Sequence, residues 1–170
     1  MKKIFRYSYL LVIILFVTAC IEEFGEVGEP FNRKEQINGT WNLVEVIQVD
    51  EQAVKRSFPY QTLNLTNKFP YTDLSVSFSL DENGNPFSFQ INKGNAPSIL
   101  PIEDGNWTFD SEEFPTQIIF SKGDTEANLE FQSLNTLTSD QLELKFSRYQ
   151  LNSNDELEPF VSYIYKFQKQ

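Results

Sequence analysis

From Ile37 onward, apolar and polar residues alternate with a period of two. Residues 74–80 read Leu-Ser-Val-Ser-Phe-Ser-Leu, and the same alternation returns in 86–91, 142–147 and 161–167. Successive side chains of a β-strand point to opposite faces, whereas a helix repeats its apolar positions every 3.6 residues. No window of useful length has helical spacing, so the pattern predicts an all-β domain.

Eight alternating runs are expected to form strands. They lie at about 40–49, 74–80, 86–91, 106–110, 116–122, 127–134, 141–150 and 160–168. Most links between them are short and turn-like, such as Asn83-Gly84, a strong hairpin sequence. We therefore predict a single antiparallel up-and-down β-barrel of about eight strands, which removes exposed sheet edges. A two-sheet β-sandwich uses the same alternation and stays open as the alternative.

Large aromatic residues recur on the apolar face of these runs. The expected inward set is Phe78, Phe87, Phe89, Phe109, Phe120, Phe131 and Phe146. Each ring buries roughly 150–250 Å², so seven of them would largely fill a small barrel. The favoured interpretation is a packed core, and an aromatic-lined pocket is the alternative.

Residues 1–19 have the features of a secretory signal peptide. The basic start, Met1 to Arg6, is followed by an apolar run at 10–17 that is too short to remain as a membrane-spanning helix. The segment ends with Val-Thr-Ala directly before Cys20, and these four residues resemble a lipobox. Cys20 is the only cysteine in the chain, so an internal disulfide is not expected. We expect Cys20 to be lipidated and to anchor the protein to the membrane.

Residues 20–36 are expected to form a flexible acidic tether, with the barrel domain at 37–170. Glu22 and Glu23, just after the cysteine, resemble the acidic export motif of surface lipoproteins of Bacteroidota, although a plain solvated linker has the same composition. The expected location is the cell envelope, at the outer membrane, with exposure on the cell surface if the motif acts.

Net charge excludes some partners. Loss of Lys2, Lys3 and Arg6 with the signal peptide takes the formal charge from −10 to −13. Nucleic acids and anionic lipids are bound electrostatically by clustered Lys and Arg, so neither is an expected partner.

The chain has no histidine, which removes Ser-His and Cys-His nucleophiles and most zinc sites. Acidic pairs such as Glu103-Asp104 lie in polar turn segments. Asp81, Asn83 and Asn85 have the spacing of calcium ligands, but Pro86 follows where such a loop needs glycine, and a hairpin explains the segment better. No enzyme, metal site or cofactor is expected; a carboxylate-based hydrolase is the remote alternative.

The segment Gly39-Thr40-Trp41 opens the first strand, and Gly105-Asn106-Trp107 repeats the pattern before the fourth. In these features the chain resembles the small lipocalin-like lipoproteins of Bacteroidota, many of unknown function. The resemblance implies that Trp41 closes the floor of the barrel. It also implies that Trp107 belongs to a second Gly-x-Trp segment that begins a strand. In classical lipocalins an arginine on the last strand packs over this tryptophan, and Lys166 is the nearest candidate here.

The long link at about 50–73 contains a near-repeat of Phe-Pro-Tyr. In lipocalin-type barrels the corresponding loop covers the open mouth. Phe58, Tyr60, Phe69 and Tyr71 are therefore candidate lid residues, and a hydrophobic plug is the alternative. The stretch 62–66 is a further alternative, as a short extra strand.

Two functions follow from these expectations. The first is a membrane-anchored barrel that binds a small hydrophobic or amphipathic ligand. The alternative is a non-enzymatic accessory or structural protein that contacts another envelope component, with Tyr149, Tyr163 and Tyr165 as candidate interface residues.

Overall fold

A computed structural model describes residues 32–170, and the predicted signal peptide, Cys20 and most of the tether lie outside this range. The strands are β1 (Gly39–Asp50), β2 (Thr62–Asn64), β3 (Ser75–Leu80), β4 (Pro86–Asn92), β5 (Asp104–Phe109), β6 (Gln117–Lys122), β7 (Thr125–Ser133), β8 (Gln141–Leu151) and β9 (Leu157–Lys169). Two short helices, α1 (Arg33–Ile37) and α2 (Glu51–Lys55), flank β1, and 3₁₀ turns occupy Tyr71–Asp73 and Asn135–Ser139.

The strands form one closed antiparallel barrel. Each strand from β3 to β8 pairs with the next, β1 pairs with β3, and β9 returns to pair with β1 along most of its length. The predicted barrel is confirmed, and its eight strands correspond to the eight alternating runs. β2 is an additional strand that pairs only with β1, through Thr62–Asn64, inside the stretch 62–66.

Helix α1 lies at the end of the barrel where β1 begins, called here the lower end. Asn32 caps α1 by accepting a hydrogen bond from the Glu35 backbone N–H at 3.4 Å. Arg33 and Lys34 reach the β5–β6 loop at Glu113 and Glu112, and Ile37 is buried beneath the strands. Residues 33–36, expected in the tether, therefore form a helix that covers this end.

The core is a set of edge-to-face aromatic contacts. Phe78 meets Trp107 with ring centroids 5.2 Å apart, Phe89 meets Phe120 at 4.8 Å, and Trp107 meets Phe109 at 5.5 Å. This geometry is the favourable one for aromatic pairs. Phe131 and Phe146 pack against the margin of the core.

The inward prediction is wrong for Phe87, which is 56% exposed. The register between β3 and β4 shifts between the pairs Phe78–Phe89 and Leu80–Pro86, so Phe87 lies at a β-bulge, beyond the residues that pair with β5. Alternation predicted the face correctly for Phe89 but could not show this bulge.

The barrel interior is sealed by the β4–β5 loop, residues 93–103. Ala96, Ile99, Leu100 and Ile102 of this loop are all buried. Ile99 and Leu100 line a central void of about 10 Å³, together with core residues of the strands. Since about 10–15 Å³ is the space of one water molecule, the interior is filled.

The wall of the barrel is uneven in height. β1, β8 and β9 are 12, 11 and 13 residues long, while β4, β5 and β6 are 7, 6 and 6. The long strands, joined by β2, rise at the upper end, opposite α1. We call this part the upper wall; it comprises β2, residues 45–50 of β1, 157–164 of β9 and 146–151 of β8.

Candidate functional surface at the upper wall

Trp41 lies at the lower end and is fully buried. Its indole N–H donates to the Ile37 carbonyl at 2.7 Å, which ties α1 to β1. Lys169 at the end of β9 covers the indole, with its ammonium 5.3 Å from the ring centroid, and donates to the Gln36 carbonyl. The cation over the tryptophan is therefore Lys169; Lys166, the candidate from sequence, instead pairs with Glu45 at 2.8 Å.

Both glycines of the two Gly-x-Trp segments have positive φ, +119° for Gly39 and +150° for Gly105. A Cβ on Gly105 would lie 2.2 Å from the Ser121 backbone oxygen, so only glycine fits there. Trp107 donates its indole N–H to the Ser79 carbonyl at 3.0 Å. It thereby bridges β5 to β3 inside the barrel.

The four candidate lid residues occupy different surroundings. Phe69 and Tyr71 are in edge contact at 5.8 Å, and Tyr71 is buried. Phe58 lies after α2 with half of its surface exposed, and Tyr60 is 90% exposed. Within the described chain, Tyr71 is buried in the same core as residues of the 93–103 loop, whereas Phe58, Tyr60 and Phe69 are exposed. Whether the four aromatics touch a ligand stays a prediction.

The inner face of the upper wall is defined by a cross-strand row. Leu63 of β2 is opposite Gln48 of β1, Gln48 is opposite Tyr163 of β9, and Tyr163 is opposite Phe146 of β8. Tyr165, two residues further along β9, is buried in the core. Directly opposed residues share a face, so this row points to the barrel axis above the core.

Two of the three candidate interface tyrosines therefore point inward. Tyr163 and Tyr165 stack at 6.4 Å with their rings 12° from parallel. Burial raises the pKa of Tyr165 above its usual value, so the hydroxyl stays neutral at physiological pH. Only Tyr149 of the three is largely exposed.

Arg148 lies at the top of this inner face. Its guanidinium carbon is 5.9 Å from the centroid of the Tyr163 ring, a cation–π arrangement. The residue is exposed. Among the ion pairs of residues 32–170, none involves Arg148. Its guanidinium therefore has N–H donors available to an anionic partner.

The outer face of the upper wall is covered by α2. Glu51 accepts a hydrogen bond from the Ser162 hydroxyl at 2.6 Å and pairs with Lys145 at 2.7 Å. Burial alone would raise the pKa of Glu51, but hydrogen bonds from Lys145 and Ser162 outweigh it and lower the pKa below its usual value. Further along, Lys55 pairs with Glu158 at 2.8 Å. Ion pairs and a hydrogen bond thus hold α2 against the outer face of the upper wall.

The top of the wall carries exposed apolar side chains. Leu151 and Leu157 are directly opposed across the β8–β9 hairpin and are 63% and 71% exposed. Tyr149 and Pro159 form the next pair on the same face. Glu158, on the alternate face, points to α2. The tip of the hairpin therefore carries exposed apolar side chains beside α2, where Leu151 lines a groove together with Gln52 and Lys55.

The segment with calcium-like spacing is a turn. The Asp81 carboxylate accepts the backbone N–H groups of Asn83 and Asn85 at 2.9 and 2.8 Å. These bonds, first among them that from Asn85, lower the pKa of Asp81. Over residues 32–170 no group of three metal-ligating side chains comes together. None of the helices in the same range is long and apolar enough to cross a membrane.

Comparison with known proteins assigns the chain to a family. No curated protein matches it. A family described as a domain of unknown function (DUF5004) matches residues 17–168. The match includes β1 to β8 and all but the last residue of β9, and it reaches back beyond Cys20. The chain therefore belongs to the DUF5004 family, and its barrel is the structure of that domain.

Proposed function

We propose that this protein is a non-enzymatic accessory protein of the cell envelope that binds another envelope component on the outside of its barrel. The filled interior carries the proposal. The central void is about 10 Å³, whereas pockets for small molecules usually have about 300–1,000 Å³. A carrier of hydrophobic ligands needs space that this packing does not provide. The exposed apolar residues of the upper wall offer a binding surface instead.

The cellular location of the protein is part of the proposal and rests on the sequence. Residues 1–19 direct export, Cys20 receives the lipid, and Glu22 and Glu23 favour display on the outer face of the outer membrane. Replacing Cys20 by serine is expected to abolish acyl labelling and to release the protein from membranes. Proteolysis of whole cells is expected to digest it; full protection would contradict surface display.

A lipocalin-like origin in Bacteroidota belongs to the same proposal. An eight-stranded up-and-down barrel, a Gly-x-Trp start at Gly39 and a cation over Trp41 support it. The chain differs from classical lipocalins in two features. Lys169 takes the place of the arginine over the tryptophan, and residues 93–103 close the interior. Both are consistent with a barrel that has kept the scaffold and lost the ligand cavity.

The surface carboxylates support a non-enzymatic role. Glu45, Glu103 and Asp104 each form an ion pair with a lysine, at 2.8, 2.6 and 2.5 Å. A general acid at neutral pH needs a carboxyl group whose pKa is raised by burial. In the part of the chain that the structure covers, every carboxyl pKa with a resolved shift moves downward.

Cross-linking in the intact envelope tests the proposal. We expect one protein to be cross-linked in a fixed ratio to this one, in cells that produce it at normal levels. Native mass spectrometry of protein purified from its host is the matched test of the carrier alternative. A co-purifying small molecule, or no cross-linked protein at any surface position, would overturn the accessory role.

A further inference from the structure

The upper part of β8 has an unpaired edge. β7 pairs with β8 only between residues 130–133 and 143–145. β9, on the other side, pairs with β8 as far as Leu151. Over residues 146–151 the described structure therefore gives β8 one neighbouring strand, and the backbone groups on its other side have no ladder partner. Such an edge is a template for an added strand.

The edge has a fixed charge at its centre. Arg148 lies over the ring of Tyr163, with its guanidinium carbon 5.9 Å from the centroid. In a sheet, side chains directly opposed on neighbouring strands have their Cβ atoms about 4.5–5.5 Å apart. An acidic residue opposite Arg148 on an added strand would therefore lie within reach of the guanidinium. Pre-ordering by the tyrosine ring lowers the entropy lost when that pair forms.

Apolar side chains lie on the opposite face of the same edge. Leu151 and Leu157 are mostly exposed, and Tyr149 is next on the same face. Side chains of an added strand would cover these residues at alternate positions. The edge thus offers main-chain hydrogen bonds for affinity and a charge with apolar neighbours for specificity.

We infer that residues 146–151 of β8 bind an extended segment of a partner protein by strand addition, with an acidic side chain of that segment paired to Arg148. This inference rests on the proposed function and names the site and the chemistry of the partner. A second copy of the chain is a less suitable occupant, because two mature chains of charge −13 repel each other. A short acidic segment can pair with Arg148 alone. It also brings less negative charge close to the protein than a whole second copy would.

Peptide selection tests the inference on the protein purified from its host. A displayed library of random 12-residue peptides is selected for binding, and enriched peptides are synthesised and titrated. We expect enriched sequences to combine alternating apolar residues with an Asp or Glu. Hydrogen exchange with bound peptide should protect amides within 146–151.

Charge reversal provides the sharper test. Arg148→Glu is expected to weaken the selected acidic peptides about tenfold, equal to about 1.4 kcal/mol. The same library selected on this variant should yield peptides with Lys or Arg in place of the acid. Lys68→Glu is the matched control, because it changes the net charge equally at another exposed position and should leave binding unchanged.

Several results would overturn the inference. These are no peptide with a Kd below about 100 μM, protection confined to other strands, equal binding to both variants, or self-association through β8 in place of peptide binding. The proposed function has a separate outcome. If envelope cross-links form with a partner from other surface positions and none from Gln150, the accessory role stands and the site at β8 is wrong.

Discussion

The lower and upper halves of this barrel are built from the same long strands but are completed differently. At the lower end, β3 closes on β1 through residues 39–42, and β7 closes on β8 through 143–145. In the upper half β3 stops and β7 pairs only with β6, whereas β2, β1, β9 and β8 continue as a wall with an inner face and a free edge. In the lower half β8 is paired on both edges, whereas in the upper half it is paired only with β9, and α2 lies against the outer face there.

The contrast shows how a filled barrel can still present a binding surface. The lower half contains the residues that fix the fold: Trp41, the aromatic cluster and the helix that covers the floor. The upper wall keeps Arg148 and the apolar hairpin residues exposed on a rigid support. Rigid elements place binding groups more accurately than loops do. The fold thus separates the residues that stabilise it from those available to a partner.

Substitution of the two glycines with positive φ, Gly105 and Gly39, should give the largest loss of folding stability. The loss should be much greater at Gly105 than at Gly39. In Gly105→Ala the new Cβ meets the Ser121 backbone oxygen at 2.2 Å, so the β5–β6 pairing must open. We expect a loss of about 4 kcal/mol or more. In Gly39→Ala the neighbour is the flexible end of Lys169, at 3.2 Å, so the loss should be about 1–2 kcal/mol, from backbone strain. Urea unfolding measures both; equal losses would contradict the close packing at Gly105.

Truncation inside the plug should cost more than truncation on the upper wall. Leu100→Ala removes a buried side chain that lines the central void, and we expect a loss of about 3 kcal/mol. Leu151→Ala is the matched control, because the same atoms are removed from an exposed position; its effect should stay within about 0.5 kcal/mol. The free energies of unfolding give the comparison. Similar losses for the two leucines would mean that the hairpin is packed in solution.

The contact between α2 and the upper wall should depend on pH. Because the folded-state pKa of Glu51 is lowered, its contribution to stability is present above the usual pKa, about 4.3, and is lost as the pH falls through the folded-state value. Glu51→Gln should cost about 1–2 kcal/mol at pH 7. The difference between wild type and variant should shrink below about pH 4.3. Unfolding at a series of pH values measures it, and a constant difference would rule out the ionised carboxylate as its source.

The smallest expected effect is at the floor. Lys169→Met keeps the apolar stem over Trp41 and removes only the ammonium, which contacts the ring and the Gln36 carbonyl. A loss of about 0.5–1 kcal/mol is expected from the cation–π contact. Lys166→Met is the control for a last-strand lysine that does not cover the indole, and tryptophan fluorescence of Trp41 should respond to the first change alone. A response to Lys166→Met would reverse the assignment.

Much of the fold could be predicted from the sequence because strand alternation is a local property. The eight runs gave the strands, and Asn83-Gly84 gave the turn between β3 and β4, where Gly84 has φ of +79°. The direction of Tyr163 and Tyr165 could also have been found. Both share parity with Phe167, a core residue, so an inward direction follows from their spacing.

Other features depend on contacts that no local pattern reveals. The plug at 93–103 has apolar residues, Ile99-Leu100-Pro101-Ile102, without any period, and their burial depends on where the loop meets the barrel. Phe87 was misassigned because strict alternation does not reveal a β-bulge, here the shift of register between β3 and β4. The unequal strand lengths were visible in the predicted runs, with 141–150 longer than 116–122. That difference is the one sequence feature that could have indicated the upper wall.

Residue-resolved hydrogen exchange along β8 tests whether the upper part of this strand has a free edge. We expect the amides from Glu143 to Lys145 all to be protected, because both sides of the strand are paired there. Alternate amides in 146–151, those directed away from β9, should exchange at least about 100-fold faster. Uniform protection along the whole of β8 would contradict the free edge, and with it the division between a closed lower half and an open upper wall.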